Sequence, residues 1–205
     1  TRSVSAFLLN RSSDLRFCAV LPDSLIGFDK DLKLAAPEAA SLTAGIEGDL
    51  EPVTTALRLG TVSFLGLKEA GESWRTRRRP EVAKLLGDLA GNPWSVAEVQ
   101  AHRLFRQAGV TGWVGNHRIQ IAGRRFIPDI SIPAARLAFE INSFSFHSSR
   151  EAMRKDAART NALVSAGWRV FILTPQQIVH HAEETIEFIR SVVWKRHLSA
   201  KSRGT

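Results

Sequence analysis

The clearest hydrophobic periodicity of this chain lies in its second half. Ser95 and Glu98 form a capping box, and an apolar stripe at helical spacing follows it and stops at Gly109. The members of the stripe are Ala97, Ala101, Leu104 and Ala108. The pattern predicts a helix of about four turns.

Three segments after this helix alternate apolar and polar positions, as half-buried β-strands do. They span residues 117–121, 125–132 and 137–142. Ala122 and Gly123 supply a turn, so the first two segments are expected to pair as a hairpin. The third segment places Leu137, Phe139 and Ile141 on one face and Ala138, Glu140 and Asn142 on the other.

Helix and strand signals continue to the end of the chain. A capping box at Ser148 and Glu151 opens a helix that closes at Gly167. Its expected packing face is Met153, Ala157, Thr160 and Val164. Residues 168–173 are predicted to form a buried strand, and Thr174 starts a last helix with Pro175 at its first position. The apolar stripe of that helix is Ile178, Ala182, Ile186, Ile189 and Val193. The order α-β-β-β-α-β-α predicts an α/β fold.

The first 90 residues carry weaker signals. Strands are expected at 4–9 and 15–22, helical spacing runs from Pro37 to Leu59, and a short helix is expected over Glu81–Leu89. The helix and strand signals become clearer after Gly91, Asn92 and Pro93. We therefore predict a mainly helical N-terminal extension over residues 1–92, a domain over 93–196 and a basic tail over 197–205.

Composition narrows the class of protein. The chain has 205 residues, of which 44% are hydrophobic, enough to bury a core. It has no apolar run of the roughly 18 residues that a membrane span requires, and no N-terminal signal pattern. The single cysteine, Cys18, allows no internal disulfide. We expect a cytoplasmic protein without a membrane partner, and the start at Thr1 leaves room for an upstream domain.

The net charge of +8 is concentrated after residue 60. Residues 1–60 carry 6 Lys and Arg against 8 Asp and Glu, whereas residues 61–205 carry 22 against 12. A nucleic acid is the commonest partner for such an excess, because each neutralised phosphate releases condensed counterions. A basic surface that only aids solubility is the alternative.

Acidic residues fall on two of the predicted strands. Asp129 lies on the second strand and Glu140 on the third, with Asn142 two positions on and therefore on the same side as Glu140. An unpaired carboxylate in an otherwise apolar strand costs several kcal/mol unless it meets a cation, a proton or a cleft. Two carboxylates and a backbone carbonyl form a hard oxygen site of the kind that Mg²⁺ accepts.

Pro128-Asp129 followed by Glu140-Ile141-Asn142, within α-β-β-β-α-β, resembles the PD-(D/E)XK or restriction-endonuclease-like superfamily. Further residues resemble the bacterial very-short-patch-repair-endonuclease-like group. These are Arg124 to Ile130, Leu137 to Asn142, His147, Asp156 to Arg159, Leu163, and Ala166 to Val170. The resemblance spans residues 93–178 and implies a mixed sheet flanked by helices.

The resemblance also implies site residues. Asp129 and Glu140 would hold Mg²⁺, or Mn²⁺ in its place, with the carbonyl of Ile141 contributing. Glu98 would be an accessory acid, and His147 and Asp156 would line the cleft. Asn142 stands where the motif usually has Lys or an acid, and Ser143 where Gly is common. Asparagine can orient water or phosphate but cannot act as a general base.

Structural interpretations stand beside these functional ones. Asp129 could form a salt bridge with Arg124 or Arg125, Glu98 could serve only as a capping residue, and Asp156 could pair with Arg159 at i,i+3. His147 could pack beside Phe144 and Phe146, and His180 and His181 diverge too far on a helix to share one ion. The run Arg77, Arg78 and Arg79 could be a solvated face.

Three functions remain open at this level. The first is a Mg²⁺-dependent DNA endonuclease in repair, restriction or defence, although the sequence does not separate DNA from RNA. Its phosphate contacts are expected at Arg124, Arg125, Arg150, Arg154, Lys155 and Arg159. The second is a catalytically weak or inactive nuclease-fold domain of an antitoxin-like DNA-binding transcriptional regulator, with a cognate toxin or an upstream DNA-reading domain as partner. The third is a purely protein-binding role.

Overall fold

The computed structural model describes residues 21–29, 32–74, 76–141 and 150–201, and all structural statements below refer to them. The predicted strands at 4–9 and 15–22 lie almost wholly outside this part, as does the capping residue Ser148. The chain adopts a mixed α/β fold. No described helix combines the length and the apolar content that crossing a membrane requires.

The N-terminal part consists of a hairpin and four helices. The hairpin pairs two strands antiparallel, β1 (Ile26–Asp29) and β2 (Leu32–Ala35). The helices are α1 (Pro37–Ile46), α2 (Glu51–Leu59), α3 (Phe64–Ser73) and α4 (Arg79–Leu89). Their apolar faces enclose a first core, whose fully buried members include Leu42, Val53, Leu67 and Leu89. Burial of such side chains stabilises the helices far more than their intrinsic propensity does.

The C-terminal part alternates helices and strands. Its first half contains α5 (Val96–Gln107), β3 (Val114–Gly115), β4 (Ile119–Ile121), β5 (Arg124–Phe126), β6 (Ile130–Ile132) and β7 (Leu137–Ile141). Its second half contains α6 (Arg150–Ser165), β8 (Arg169–Leu173), α7 (Pro175–His180) and α8 (Ala182–Lys201). Since α8 continues to Lys201, the basic tail expected from residue 197 begins inside a helix.

Four strands form the main sheet in the order β3-β6-β7-β8. β6 runs antiparallel to β3 and β7, whereas β7 and β8 are parallel, so the sheet is mixed. β4 and β5 form a separate antiparallel hairpin, as the turn at Ala122 and Gly123 predicts.

The two faces of the main sheet are covered differently. One face packs against α5, α7 and α8, and the core there includes Phe105, Ile130, Leu137, Phe139 and Ile189. On the other face Leu163 of α6 forms a smaller cluster with Ile119 and Phe126 of the hairpin. The alternation predicted for β7 is confirmed, because Leu137 and Phe139 are fully buried in the larger core.

Two predicted continuous elements are interrupted. The helical stretch from Pro37 to Leu59 breaks between α1 and α2, where Gly48 has φ +95°, a conformation that glycine adopts at little cost. The predicted strand 125–132 divides into β5 and β6 because Pro128 has no N–H to donate to a strand ladder. As a result Asp129, which was predicted to lie on this strand, lies immediately before β6.

Three further predictions are wrong in detail. β8 is an edge strand rather than a buried one, with Ile172 53% exposed. The packing face of α6 is not the expected one, since Val164 is 53% exposed while Leu163 is fully buried. The last helix breaks at His181, and the Thr185 hydroxyl lies 2.8 Å from the His181 carbonyl oxygen.

Candidate active site

Asp129 lies immediately before β6, and Glu140 lies on the neighbouring strand β7. The register of β6 and β7 pairs Ile130 with Phe139 and Ser131 with Ala138. One step beyond the first of these pairs, the antiparallel register places Asp129 opposite Glu140. Residues so placed have Cβ atoms roughly 5 Å apart and side chains on the same face of the sheet. That face is the one that α6 covers.

The carboxylate of Asp129 is fixed to the backbone of the neighbouring strand. Its Oδ2 accepts a hydrogen bond from the backbone N–H of Ile141, with an N···O distance of 2.6 Å. The predicted salt bridge from Asp129 to Arg124 or Arg125 does not occur among the described residues; instead the Arg124 guanidinium lies 6.0 Å from the Phe126 ring centroid. Asp129 is thereby oriented toward the strand that carries Glu140.

The carboxylate of Glu140 is paired with a cation from α6. Arg159 Nη2 lies 3.0 Å from Glu140 Oε1, and the same nitrogen donates to the Ile127 carbonyl oxygen at 2.5 Å. The Glu140 side chain is 16% exposed and that of Arg159 is 38% exposed. Arg159 therefore contacts Glu140, and the i,i+3 ion pair considered between Asp156 and Arg159 is not seen in the described part.

Both carboxyl groups are harder to ionise than usual. Burial is the main cause, and it raises the pKa of Asp129 to about 6 and that of Glu140 to about 7. For Asp129 the Ile141 amide opposes the shift, Glu98 adds to it and Arg159 opposes it. For Glu140 the Arg159 guanidinium opposes the shift, whereas the negative charges of Asp129 and Asp156 add to it. The site is an acidic cluster for which Arg159 is an incomplete counter-charge.

Glu98 is buried at the start of α5 and is fully used in hydrogen bonding. Its Oε1 accepts from the Ser95 hydroxyl at 3.0 Å, and its Oε2 accepts from the backbone N–H of Trp94 at 2.8 Å. Asn116 Nδ2 donates to the same Oε2 at 2.7 Å. These contacts favour the capping interpretation of Glu98, although its charge still raises the pKa of Asp129.

Asn116 links the Glu98 cap to Asp129, immediately before β6. Its side-chain amide donates to Glu98 and to the Asn92 carbonyl oxygen at 3.0 Å, while its backbone N–H donates to the Asp129 carbonyl oxygen at 3.0 Å. Asn116 has φ +50°, a conformation that asparagine tolerates better than most residues. Sequence reasoning missed it, and its only signal was an asparagine after a glycine outside any strand pattern.

His117 contacts Ser131, which lies on the same face of the sheet as Asp129. His117 Nδ1 is 3.2 Å from the hydroxyl oxygen of Ser131, which is fully buried two residues after Asp129. His147, the histidine predicted to line the cleft, and Asn142, the third residue of the motif, lie outside the described residues. Their roles stay predictions.

The predicted phosphate contacts occupy different environments. Arg124 and Arg125 are exposed on β5 of the hairpin, and Arg154 is exposed on α6. Arg150 and Lys155 belong to α6, but their side chains are outside the description. Arg159 is engaged within the acidic cluster rather than free at the surface.

The arginine run before α4 is partly structural. Arg78 Nη2 donates to the Ile46 carbonyl oxygen at 2.7 Å, and its Nη1 lies 3.2 Å from Glu47 Oε1. It thus satisfies a carbonyl at the C-terminal end of α1, where a cation is also favoured by the helix dipole. His181, from the histidine pair, lies 3.5 Å from Glu184 at i,i+3.

His102, on the same helix as Glu98, is a buried histidine whose ring makes no hydrogen bond to any residue that the structure describes. It is fully buried on α5, its ring centroid lies 4.7 Å from that of Trp113, and neither ring nitrogen has a hydrogen-bond partner in the described part. A Cβ added at Gly91 would lie 2.6 Å from its Nδ1, and one at Gly115 would lie 2.8 Å from its Cε1. Burial lowers its pKa to about 3, and the charge of Arg106 acts in the same direction. The backbone of Asp129 opposes the shift, although it lies outside hydrogen-bonding geometry to the ring.

The oxygen atoms of Asp129, Glu140 and the Ile141 carbonyl are chemically suited to a small hard cation. Carboxylate oxygens and a backbone carbonyl are ligands that Mg²⁺ accepts. When both acids are ionised, their two negative charges exceed the single positive charge of Arg159. No group of three or more His, Cys, Asp or Glu side chains suited to a metal occurs in the described ranges. The candidate set is thus Asp129 and Glu140, with the carbonyl of Ile141.

Comparison with protein-family models, with curated proteins and with solved structures finds no match for this chain.

Proposed function

We propose that this protein is a Mg²⁺-dependent DNA endonuclease of the PD-(D/E)XK type, similar to the very-short-patch-repair-endonuclease-like group. The observation that carries the proposal is the pair of partly buried carboxylates, Asp129 immediately before β6 and Glu140 on β7, which the antiparallel register places opposite each other. The mixed four-stranded sheet with helices on both faces is compatible with that fold. Neighbouring acids whose pKa values are shifted in this way are common in catalytic sites.

The protein residues have separate roles in this proposal. Asp129 and Glu140 hold the ion, and the Ile141 amide keeps Asp129 in place. When bound, Mg²⁺ supplies positive charge that stabilises the phosphodiester during cleavage and eases deprotonation of water. Asn142 orients water or phosphate through hydrogen bonds, because its amide can donate and accept them but cannot act as a general base.

DNA is held mainly through its phosphates. Arg124 and Arg125 are exposed on the hairpin and Arg154 is exposed on α6. Both elements contribute to the small cluster on the face of the sheet that α6 covers. Contacts of this kind position the duplex without selecting a sequence. We therefore propose binding that weakens steeply with salt.

The test is a nicking assay on supercoiled plasmid with Mg²⁺ or Mn²⁺. Asp129→Asn and Glu140→Gln remove one ligand charge each at nearly constant shape, and Glu187→Gln on the exposed surface of α8 is the matched control. We expect metal-dependent nicking by the natural protein and the control, and a loss of roughly 100-fold or more in both site variants. Nicking that survives in both site variants would overturn the proposal.

A second function is favoured by one contact. Arg159 already neutralises part of the Glu140 charge, so the cluster can persist without a metal. In that case the domain binds DNA without cutting it, as the nuclease-fold part of an antitoxin-like regulator with a toxin or a DNA-reading domain as partner. Intact, salt-sensitive DNA binding without nicking in any divalent metal would favour this function over the first.

A further inference from the structure

The ion pair between Arg159 and Glu140 occupies one of the two proposed metal ligands. Arg159 Nη2 lies 3.0 Å from Glu140 Oε1, within direct contact distance. A cation held by Asp129 and Glu140 would have to approach the same carboxylate. Two positive groups at such short range repel each other strongly where water is excluded.

The rest of the Arg159 environment keeps it in this position. Its Nη2 also donates to the carbonyl oxygen of Ile127, in the connection between β5 and β6 that Pro128 creates. The guanidinium therefore bridges that connection and β7 from its place on α6. Its side chain is nevertheless 38% exposed, so the guanidinium can move into solvent when it leaves Glu140.

We propose that Arg159 is the resident counter-cation of the metal-free site and that a divalent ion displaces it from Glu140. This inference rests on the proposed function, because it assigns the regulation of the same site. Metal loading is then an exchange of one cation for another rather than the filling of a vacant site. The natural protein binds a divalent ion more weakly than its two carboxylates alone would allow.

Charge and shape can be separated at position 159. Arg159→Gln removes the positive charge but keeps a donor for the Ile127 carbonyl oxygen. Arg159→Lys keeps the charge and loses the planar fork. Arg58→Gln makes the same charge change at an exposed position of α2 and is the control.

The experiment is a Mn²⁺ titration of each full-length protein, followed by the electron paramagnetic resonance signal of free Mn²⁺. We expect Arg159→Gln to bind Mn²⁺ about tenfold tighter than the natural protein, a change of ~1.4 kcal/mol. Arg159→Lys and Arg58→Gln should stay within about threefold of the natural protein, or ~0.65 kcal/mol.

Equal or weaker Mn²⁺ binding by Arg159→Gln, while the natural protein binds the ion, overturns the inference and leaves the proposed metal site standing. Absence of Mn²⁺ binding in every protein overturns both. If Arg159→Gln does not fold, the same question can be answered by NMR of the natural protein with ¹⁵N-labelled arginine side chains. Mg²⁺ should then shift the Arg159 guanidinium signal, and a signal that stays constant while Mg²⁺ binds contradicts the displacement.

Discussion

Asp129 stands opposite Glu140 one step beyond the last register pair of β6 and β7, and its Oδ2 accepts the backbone N–H of Ile141 at 2.6 Å. This relationship places both acids on the face of the sheet that α6 covers. It arises because Pro128 ends the hairpin strand β5 and lets the chain enter the main sheet at Asp129. The candidate site is therefore a consequence of where one strand breaks.

The first prediction concerns stability and pH without metal. The pKa values of Asp129 and Glu140 rise from 3.8 to about 6 and from 4.5 to about 7. Between about pH 4 and 7 the folded protein therefore binds more protons than the unfolded chain. The contribution of these two groups to the free energy of unfolding decreases as the pH rises through this range. Each proton contributes up to about 1.4 kcal/mol per pH unit.

Urea unfolding in a chelator between pH 4.5 and 7.5 checks this prediction. The free energy of unfolding of Glu140→Gln, relative to the natural protein, should increase with pH, because the variant lacks one of these groups. Glu187→Gln should show no such trend. A difference between Glu140→Gln and the natural protein that is constant with pH contradicts the assignment.

The second prediction concerns His102, which acts in the opposite direction. Its pKa falls from 6.5 to about 3, so the unfolded chain takes up a proton that the folded protein refuses. Its contribution to stability is present above about pH 6.5 and is lost as the pH falls toward 3, at about 1.4 kcal/mol per unit. The natural protein combines this slope with the opposing one from the acids.

His102→Leu isolates the histidine contribution. Relative to the natural protein, the free energy of unfolding of the variant in urea should increase when the pH falls from 6.5 to about 4.5, because the variant lacks the contribution that His102 loses over this range. The exposed His180→Gln should follow the natural protein. Parallel profiles for His102→Leu and the natural protein would show that His102 takes up its proton in the folded state.

The third prediction concerns Asn116. Asn116→Gly keeps the left-handed backbone conformation but removes the amide that donates to Glu98 and Asn92. Loss of a donor to a buried carboxylate should lower the free energy of unfolding by about 1–3 kcal/mol. Chemical denaturation at pH 7 measures it. A loss below about 0.5 kcal/mol would mean that the Glu98 cap does not depend on Asn116.

The amount that could be predicted from sequence depends on how local the signal is. The helix α5, the β4–β5 hairpin and β7 were predicted because caps, turns and alternation lie within each segment. The pair Asp129 and Glu140 was predicted from the motif, and its facing arrangement follows once the register is known.

The remaining features depend on contacts between distant segments. The two-residue strand β3 exists only by pairing with β6, and Asn116 gains its role from Asn92, Glu98 and Asp129. Similarly, the partner of Arg159 proved to be Glu140 rather than its helix neighbour Asp156. Alternation and spacing carry no information on such pairs.

The fourth prediction concerns the phosphate contacts. Replacement of Arg124 or Arg125 by alanine should reduce the slope of log binding constant against log salt by about 0.9 for each lost contact with duplex DNA. Arg58→Ala, an exposed position on α2, is the control. Fluorescence anisotropy at several salt concentrations gives the slopes. Unchanged slopes at both positions would remove the hairpin from the DNA interface.

The central claim is that Asp129 and Glu140 form one metal-dependent catalytic site. The measurement that tests it most directly is the rate of Mn²⁺-dependent plasmid nicking by Asp129→Asn, Glu140→Gln and the double variant, beside the natural protein. Residues that act as one unit give losses that do not multiply. We predict that the double variant is no slower than the worse single variant. Losses that multiply, or a natural protein without metal-dependent nicking, would contradict the claim.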